Sequence, residues 1–226
     1  MEHAIPYGAL VFDFDGLVAD TETPQYEAWV DVFTHFGAEE PLDQPTWQQA
    51  VGLTSLPFDP LTVLASRLAE PPDAASVRST HRTYLDRRLG TVAVRPGVHR
   101  WLDDADAAGL LVAIASSSSR RWVEDHLERL GLAERFPVRV CGREGLAPKP
   151  APDLYLRASE ELAVEPAQCL ALEDSPAGAR AALAAGMTCV VVPSPMTAGL
   201  DFGAVHLVVD SLAYTSLADA VSRLHP

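Results

Sequence analysis

Acidic, hydroxyl-bearing and cationic side chains stand at the ends of several apolar segments of this sequence, or directly before a helical one. These residues are Asp13 and Asp15, Ser116 and Ser117, Lys149, and Glu173 and Asp174. Ligands of an open parallel sheet bind beyond the carboxyl ends of its strands. If these apolar segments are strands of one parallel sheet, their polar ends meet at one edge, and we expect a single site there.

The residue types in this set indicate phosphoryl transfer. Carboxylate oxygens suit Mg²⁺, a hard cation that prefers carboxylates and water. Such a cation lets an Asp side chain approach a phosphate that would otherwise repel it, and Asp can form an acyl phosphate. A second Asp two residues along can face the same site and transfer protons. Ser116 and backbone N–H groups at a helix start can hold phosphate oxygens, while Lys149 can neutralise charge on the transferring group.

Lys149 is the only lysine of the chain. The sequence has 17 Lys plus Arg, of which 16 are Arg. A compact ammonium acts as a point charge where a wide guanidinium does not fit. The retention of one lysine between two prolines therefore supports a role in the site.

Alternating apolar and helical segments predict the elements that position these residues. The predicted strands are Ala9–Phe14, Leu110–Ala115, Val138–Cys141, Cys169–Leu172, Thr188–Val192 and Leu207–Val209. The predicted helices between them are Val98–Ala108, Arg120–Leu130, Asp153–Leu162 and Ala177–Ala185, the last beginning at a Ser-Pro N-cap. This alternation predicts an α/β fold with a Rossmann-like parallel sheet covered on both faces.

The alternation is interrupted between about residues 21 and 92. This segment has helical patterns over Gln25–Phe36, Leu61–Leu68 and Val77–Leu89 and no convincing strand. We therefore predict an α/β core of residues 1–20 and 93–226 with a helical insert of residues 21–92.

Composition excludes several classes of partner. The net charge of −14 argues against nucleic acid, since phosphate backbones require clustered Lys and Arg. No run approaches the roughly 20 apolar residues of a membrane span, and the first residues do not resemble a signal peptide. The three cysteines show no metal-binding spacing and are expected to be buried residues in a reducing compartment. We expect a cytoplasmic protein, a monomer or weak homodimer, with a small phosphorylated metabolite as its partner.

The motifs carrying these residues resemble those of the haloacid dehalogenase (HAD) superfamily. The run from Asp13 to Glu22 (DFDGLVADTE) resembles its first motif, Ser116 after VAIA its second, Lys149 in KPAPDLY its third, and EDSPAG from Glu173 its fourth. The motifs occur in the expected order across nearly the whole core. The helical insert after the first motif, with the EDSPAG form of the fourth, resembles the β-phosphoglucomutase-like branch with a small helical cap.

The resemblance implies a role for each matched residue. Asp13 is expected to be the nucleophile and a Mg²⁺ ligand, and Asp15 the general acid/base, with its backbone carbonyl on the metal. Ser116, with Ser117 beside it, and Lys149 are expected to bind phosphate. Asp174 is expected to bind the metal directly, with Glu173 as a further ligand or a partner of the ligands. The implied reaction is hydrolysis of a sugar phosphate or a phosphoglycolate-like compound.

Departures from the family pattern help to distinguish between the activities found in this superfamily. Sugar phosphomutases of this branch carry a cap His and a cap Arg. The resemblance pairs these with Gln25 and Ser55 of this chain, with Gly52 as the anchor, which favours hydrolysis over mutase action. Phosphonatases use a cap lysine, which this chain lacks. Dehalogenases generally lack an Asp at the position of Asp15. A phosphomutase and a non-catalytic binder of a phosphorylated ligand stay open as alternatives.

Residues outside the motifs are interpreted as structural. The tryptophans, including Trp122, are predicted to be packing residues. His81 is predicted to lie away from the pocket, and the cap arginines Arg67, Arg78 and Arg82 are predicted to be solvated.

Overall fold

The computed structural model describes residues 5–49, 51, 57–142 and 145–225. Within these residues, six strands form one parallel sheet in the order β3-β2-β1-β4-β5-β6. The strands are β1 (Ala9–Phe12), β2 (Leu111–Ser119), β3 (Val138–Gly142), β4 (Cys169–Glu173), β5 (Thr188–Val191) and β6 (Leu207–Val208). The α/β fold with a Rossmann-like parallel sheet is therefore confirmed.

Helices cover both faces of the sheet. The core helices are α5 (Val98–Ala108), α6 (Arg120–Arg129), α7 (Asp153–Leu162), α8 (Pro176–Ala184) and α9 (Leu217–Leu224). Alternate residues of β1 divide between the two faces, because successive side chains of a strand point in opposite directions. Leu10 and Phe12 pack with α5, α6 and α9, whereas Ala9 and Val11 pack with α7 and α8. This burial on both faces explains why β1 is a continuous apolar run.

Each of the six strands ends at least one residue away from its predicted end, and two of these differences shape the site. β1 ends at Phe12 because the next residues turn: the carbonyl of Phe14 accepts from the backbone N–H groups of Val18 and Ala19, and Gly16 has a φ of 84°. β2 continues past its apolar part through the serine run, because it pairs with β3 as far as Ser119 with a register shift after Ser116. The serines are thus held by the sheet.

The insert is helical over the residues that the structure describes. Its helices are α1 (Glu22–His35), α2 (Gln44–Gln48), α3 (Pro60–Ser66) and α4 (Ala74–Leu89). They share an apolar cluster that includes Phe33, Trp47, Leu64 and Val77, together with Met196 from the segment after β5. The division into a core and an insert at residues 20 and 92 stays a prediction.

One prediction about the insert holds only in part. Arg67 is partly exposed, but its guanidinium lies 5.3 Å from the ring centroid of Phe33 and donates to the carbonyl oxygens of Glu40, at 2.7 Å, and Pro41. Arg67 therefore holds the chain between α1 and α2, whereas Arg78 and Arg82 are exposed as predicted.

No helix among the described residues combines the length and apolarity needed to cross a membrane.

Candidate active site

Asp13 lies directly after the central strand β1 and is almost fully buried. Its backbone N–H donates to the carbonyl of Leu172 on β4 at 2.9 Å, which continues the sheet pairing by one residue. Its carboxylate Oδ1 accepts a hydrogen bond from the ammonium of Lys149. Burial raises the pKa of Asp13 well above its usual value, the Lys149 charge lowers it, and the neighbouring carboxylates raise it further.

Lys149 connects Asp13 to Glu173, the last residue of β4. Its Nζ donates to Glu173 Oε1 at 2.6 Å, and the three side chains form one buried ion-pair chain. Tyr155 supports this chain from α7, since its hydroxyl donates to the same oxygen at 2.6 Å and its ring centroid lies 5.0 Å from Nζ. Burial alone would lower the pKa of Lys149, but the charges of Asp13 and Glu173 outweigh burial and raise it.

Both oxygens of Glu173 are occupied by hydrogen bonds. Oε2 accepts from the backbone N–H groups of Asp174 and Ser175 at 3.1 and 3.3 Å and from the Ser175 hydroxyl at 3.2 Å. Among the described residues, Glu173 therefore accepts five hydrogen bonds. A glycine is required at position 178, because a Cβ there would lie 2.0 Å from Glu173 Cδ.

Asp174 has the opposite character, since its Oδ2 is buried and has no hydrogen-bond partner among the described residues. Burial and the neighbouring Glu173 charge raise its pKa well above the usual value. Oxygen atoms of Asp13, Glu173 and Asp174 lie within 4.8 Å of one another. A buried carboxylate without a partner is costly, so an unpaired oxygen beside two other carboxylates fits a bound cation.

The Asp15 carboxylate is held by hydrogen-bond donors from three elements. Its Oδ1 accepts from the Thr21 hydroxyl at 2.7 Å and from the Trp122 indole N–H at 2.8 Å. Its Oδ2 accepts from Ser118 at 2.6 Å and from Ser116 at 3.3 Å.

The four serines of β2 have different environments. Ser116 is fully buried and its hydroxyl bonds Asp15, whereas Ser117, Ser118 and Ser119 line a cavity of about 560 Å³. Ser117 Oγ also accepts from the backbone N–H of Lys149 at 3.4 Å. The cavity is further lined by Asp13, Asp15, Lys149 and Asp174, so the predicted site residues from different strands do meet there.

Sequence reasoning missed Glu22, Thr21 and Trp122. Glu22 lines the cavity at the start of α1, and its pKa is raised to about 8 by burial and by the charges of Asp15, Asp13 and Asp20. Trp122 was interpreted as a packing residue but also lines the cavity. The sequence signal for Trp122 was its position three residues after the serine run, in the first turn of α6.

A second cavity of about 470 Å³ lies beside the first, and Trp122 lines both. Trp29 and His81 line this second cavity and are stacked with ring centroids 4.2 Å apart. Burial lowers the pKa of His81, and its Nε2 has no partner among the described residues. Glu22 and Gln25 line the first cavity and Trp29 the second, so one face of α1 runs along both.

The fold and this site define an α/β enzyme class whose acidic, cation-compatible centre lies at the carboxyl edge of a parallel sheet next to a helical insert. The chain belongs to the haloacid dehalogenase-like hydrolase family, whose model matches residues 10–192. The family predicted from the four motifs is therefore confirmed.

Individual relatives cover nearly the whole chain. YhcW of Bacillus subtilis (strain 168), named as a phosphatase, is 37% identical over 217 residues, which are 96% of this chain and 97% of that protein. YqaB of Escherichia coli (strain K12), named as a fructose-1-phosphate phosphatase, is 29% identical over 195 residues, 82% of this chain and 96% of YqaB. The crystal structure of a CbbY variant from Rhodobacter sphaeroides with xylulose-1,5-bisphosphate is similar with a TM-score of 0.74 and 27% identity, covering 94% of this chain and 98% of that one.

Proposed function

We propose that this protein is a Mg²⁺-dependent phosphatase that hydrolyses small phosphorylated sugars through a phosphoryl group carried on Asp13. The observation that carries the proposal is the ion-pair chain of Asp13, Lys149 and Glu173, which opens onto a cavity lined by serines. The similarity to YhcW supports a phosphatase, and the similarity to YqaB and to CbbY with its bound bisphosphate supports a phosphorylated sugar as the substrate class.

The residues of the site fit a divalent cation. Asp13, Asp15, Glu173 and Asp174 bring four carboxyl groups to the site and Lys149 one ammonium, so the charge balance is negative when all are ionised. Asp13, Asp174 and the Asp15 backbone carbonyl would hold Mg²⁺. Glu173 lies close enough to join them, but its five hydrogen bonds support a role in holding Lys149. When bound, the cation supplies positive charge that lets the Asp13 carboxylate approach a phosphate.

In the first step, the Asp13 carboxylate attacks phosphorus and the bond from phosphorus to the sugar oxygen breaks. Lys149 lies against the attacking carboxylate, and with the serine run it offsets negative charge on the transferring group. Asp15, in its protonated form, gives its proton to the leaving sugar oxygen.

In the second step, water attacks the phosphoryl group on Asp13. The resulting Asp15 carboxylate takes a proton from that water, and the bond from phosphorus to the Asp13 oxygen breaks. Phosphate is released, and both aspartates return to their starting forms.

Gln25 favours hydrolysis over the phosphomutase alternative. Gln25 lines the cavity, and the resemblance to the β-phosphoglucomutase-like branch pairs it with the cap histidine of the sugar phosphomutases. A neutral amide cannot exchange protons with a sugar hydroxyl as a histidine can. The matching calls on Gly52 and Ser55 lie outside the described residues.

The first test is phosphate release from fructose 1-phosphate, xylulose 1,5-bisphosphate and other phosphomonoesters, with Mg²⁺ and with a chelator. We expect release that requires Mg²⁺ and that Asp13→Asn abolishes while retaining its fold by circular dichroism. Isomerisation without phosphate release would identify a phosphomutase, and neither reaction with any compound would favour a non-catalytic binder. That the protein is a monomer or weak homodimer and lies in the cytoplasm stays a prediction. Light scattering measures its oligomeric state.

A further inference from the structure

Trp122 lies at the junction of the serine run, the helical insert and the two cavities. It is the third residue of α6, where its backbone N–H reaches the N-cap hydroxyl of Ser119 at 3.4 Å. One turn later, His126 bonds the Trp122 carbonyl through Nδ1 at 2.9 Å, and the two rings lie 4.3 Å apart. His126 in turn packs edge-on against Phe14, which separates Asp13 from Asp15. The indole is therefore held in place by its contact with His126, which packs against the core residue Phe14.

The indole donor differs in kind from the other groups that bond Asp15. The hydroxyls of Thr21, Ser116 and Ser118 rotate, and each can donate or accept. An indole N–H only donates, and its direction is set by the ring. Trp122 is thus the one donor of this set that specifies where Asp15 Oδ1 must lie, whichever oxygen carries a proton.

Trp122 also borders the space that the leaving group of a bound substrate would occupy. Glu22, Gln25 and Trp29 follow one another along α1 from the first cavity to the second, and Glu22 and Trp29 are about 10 Å apart along the helix axis. Because Trp122 borders both cavities, a sugar attached to a phosphate beside Asp13 would extend past its ring.

We propose that Trp122 is a positioning residue: its indole N–H holds the Asp15 carboxyl in place for proton transfer while its ring borders the space of the leaving group. This inference rests on the proposed function, in which Asp15 protonates the leaving oxygen. Trp122 forms no bond to phosphorus and exchanges no proton.

The test compares leaving groups in Trp122→Phe, which keeps an aromatic ring but removes the donor. A sugar alkoxide needs a proton from Asp15 to leave, whereas a p-nitrophenolate leaves without one. We expect the rate of sugar release in a single turnover, which reports the first step alone, to fall by about 10-fold or more, since a positioned general acid contributes roughly 10²–10⁴-fold. We expect the single-turnover release of p-nitrophenolate to change by less than about threefold, because that step needs no general acid, whereas the second step uses Asp15 with either substrate.

Trp29→Phe is the matched control, because Trp29 borders the second cavity without touching Asp15. It is expected to change KM for the sugar phosphate but to keep the ratio of the two single-turnover release rates. In an Asp15→Asn background, Trp122→Phe should have no further effect on that ratio. Equal losses on both substrates in Trp122→Phe, or the same ratio change in Trp29→Phe, would overturn the proposal.

A second measurement does not depend on turnover. The chain has four tryptophans, and Trp122→Phe identifies the Trp122 indole N–H signal in a ¹⁵N-labelled spectrum. We expect Asp15→Asn to shift this signal more than the other three, and an unshifted Trp122 signal would refute the contact. If the wild-type protein releases phosphate from no compound, the proposed function fails, and the catalytic part of this inference fails with it. The spectrum still decides whether Trp122 holds Asp15.

Discussion

Replacing Lys149 with methionine tests whether one buried ammonium holds the carboxylates of the site together. The Lys149 side chain is 3% exposed, and its partners Asp13 and Glu173 are 9% and 0% exposed. Removing one partner of a buried ion pair costs about 3–5 kcal/mol, because the remaining charge stays buried and unpaired. This is a large part of a domain's total stability of about 5–15 kcal/mol, so the variant should fold but unfold at a urea concentration lower by about 1–2 M.

The pH dependence of Lys149→Met follows from the same charges. In the wild-type protein, Lys149 lowers a pKa of Asp13 that burial raises. Without the ammonium, the folded-state pKa of Asp13 lies further above its unfolded value. A raised carboxyl pKa contributes stability that is present at low pH and lost as the pH rises through the folded-state pKa. In metal-free buffer, the stability difference from wild type should therefore be larger at pH 8 than at pH 5.

Arg157→Met is the matched control, because Arg157 also pairs with two carboxylates but on the surface. Its guanidinium lies 2.9 Å from both Glu160 and Glu161, and its side chain is 48% exposed. Solvent screens exposed ion pairs, so that they contribute little to stability, and Arg157→Met should barely move the urea midpoint. If Lys149→Met destabilises the protein at pH 8 no more than Arg157→Met does, the reasoning from buried charge is refuted.

Three further predictions concern the acidic cluster. Gly16→Ala places a Cβ 2.0 Å from Asp174 Oδ2 at a φ of 84°, so isothermal titration should show weakened Mg²⁺ binding. The control Gly37→Ala has a similar φ of 79° but open space around the Cβ, and it should only lose about 1 kcal/mol of stability. Equal Mg²⁺ affinity in both variants would contradict the steric argument. Asp174→Asn should raise the thermal unfolding midpoint of the metal-free protein, because it removes a buried charge. The same change should lower the Mg²⁺ affinity by about 10-fold or more. A lower unfolding midpoint than wild type in the presence of chelator would contradict the argument from buried charge. Because the pKa of Glu22 is raised to about 8, ionising this carboxyl should cost the metal-free protein on the order of 4 kcal/mol of stability between pH 5 and pH 9. A loss just as large in Glu22→Gln would show that another group is responsible.

The strands and core helices could be predicted because their signals are local. Each strand is a short apolar run, since both faces of the sheet are covered, and α8 begins at Ser175, whose hydroxyl accepts from the Gly178 N–H at 3.0 Å. Helices α2 and α9 were not predicted. The 5 residues of α2 are too few to show a helical period. The 8-residue α9 did carry signals that sequence reasoning missed, since it begins with a capping box of Ser216 and Asp219 and buries one apolar face.

The site was predicted in part. The motifs brought Asp13, Lys149, Glu173 and Asp174 to one edge, because parallel strands end on the same side of a sheet. Their roles stay predictions, as do those of Ser116 and Ser117. The hydrogen bonds of Asp15 could not be predicted, since Thr21 and Trp122 lie 6 and 107 positions away from it and reach it only through the turn after β1 and the start of α6.

By itself, the sequence determined the family, the parallel sheet, the helical insert and the residues that could do chemistry, because each depends on local apolar patterns or short motifs. Only the tertiary structure decided how the charges are shared. It paired Lys149 with both Asp13 and Glu173, occupied the oxygens of Glu173 and left one oxygen of Asp174 without a partner among the described residues. Hydrogen bonds and buried charges depend on distances of a few ångströms between segments far apart in the chain, and such distances exist only after the sheet has formed.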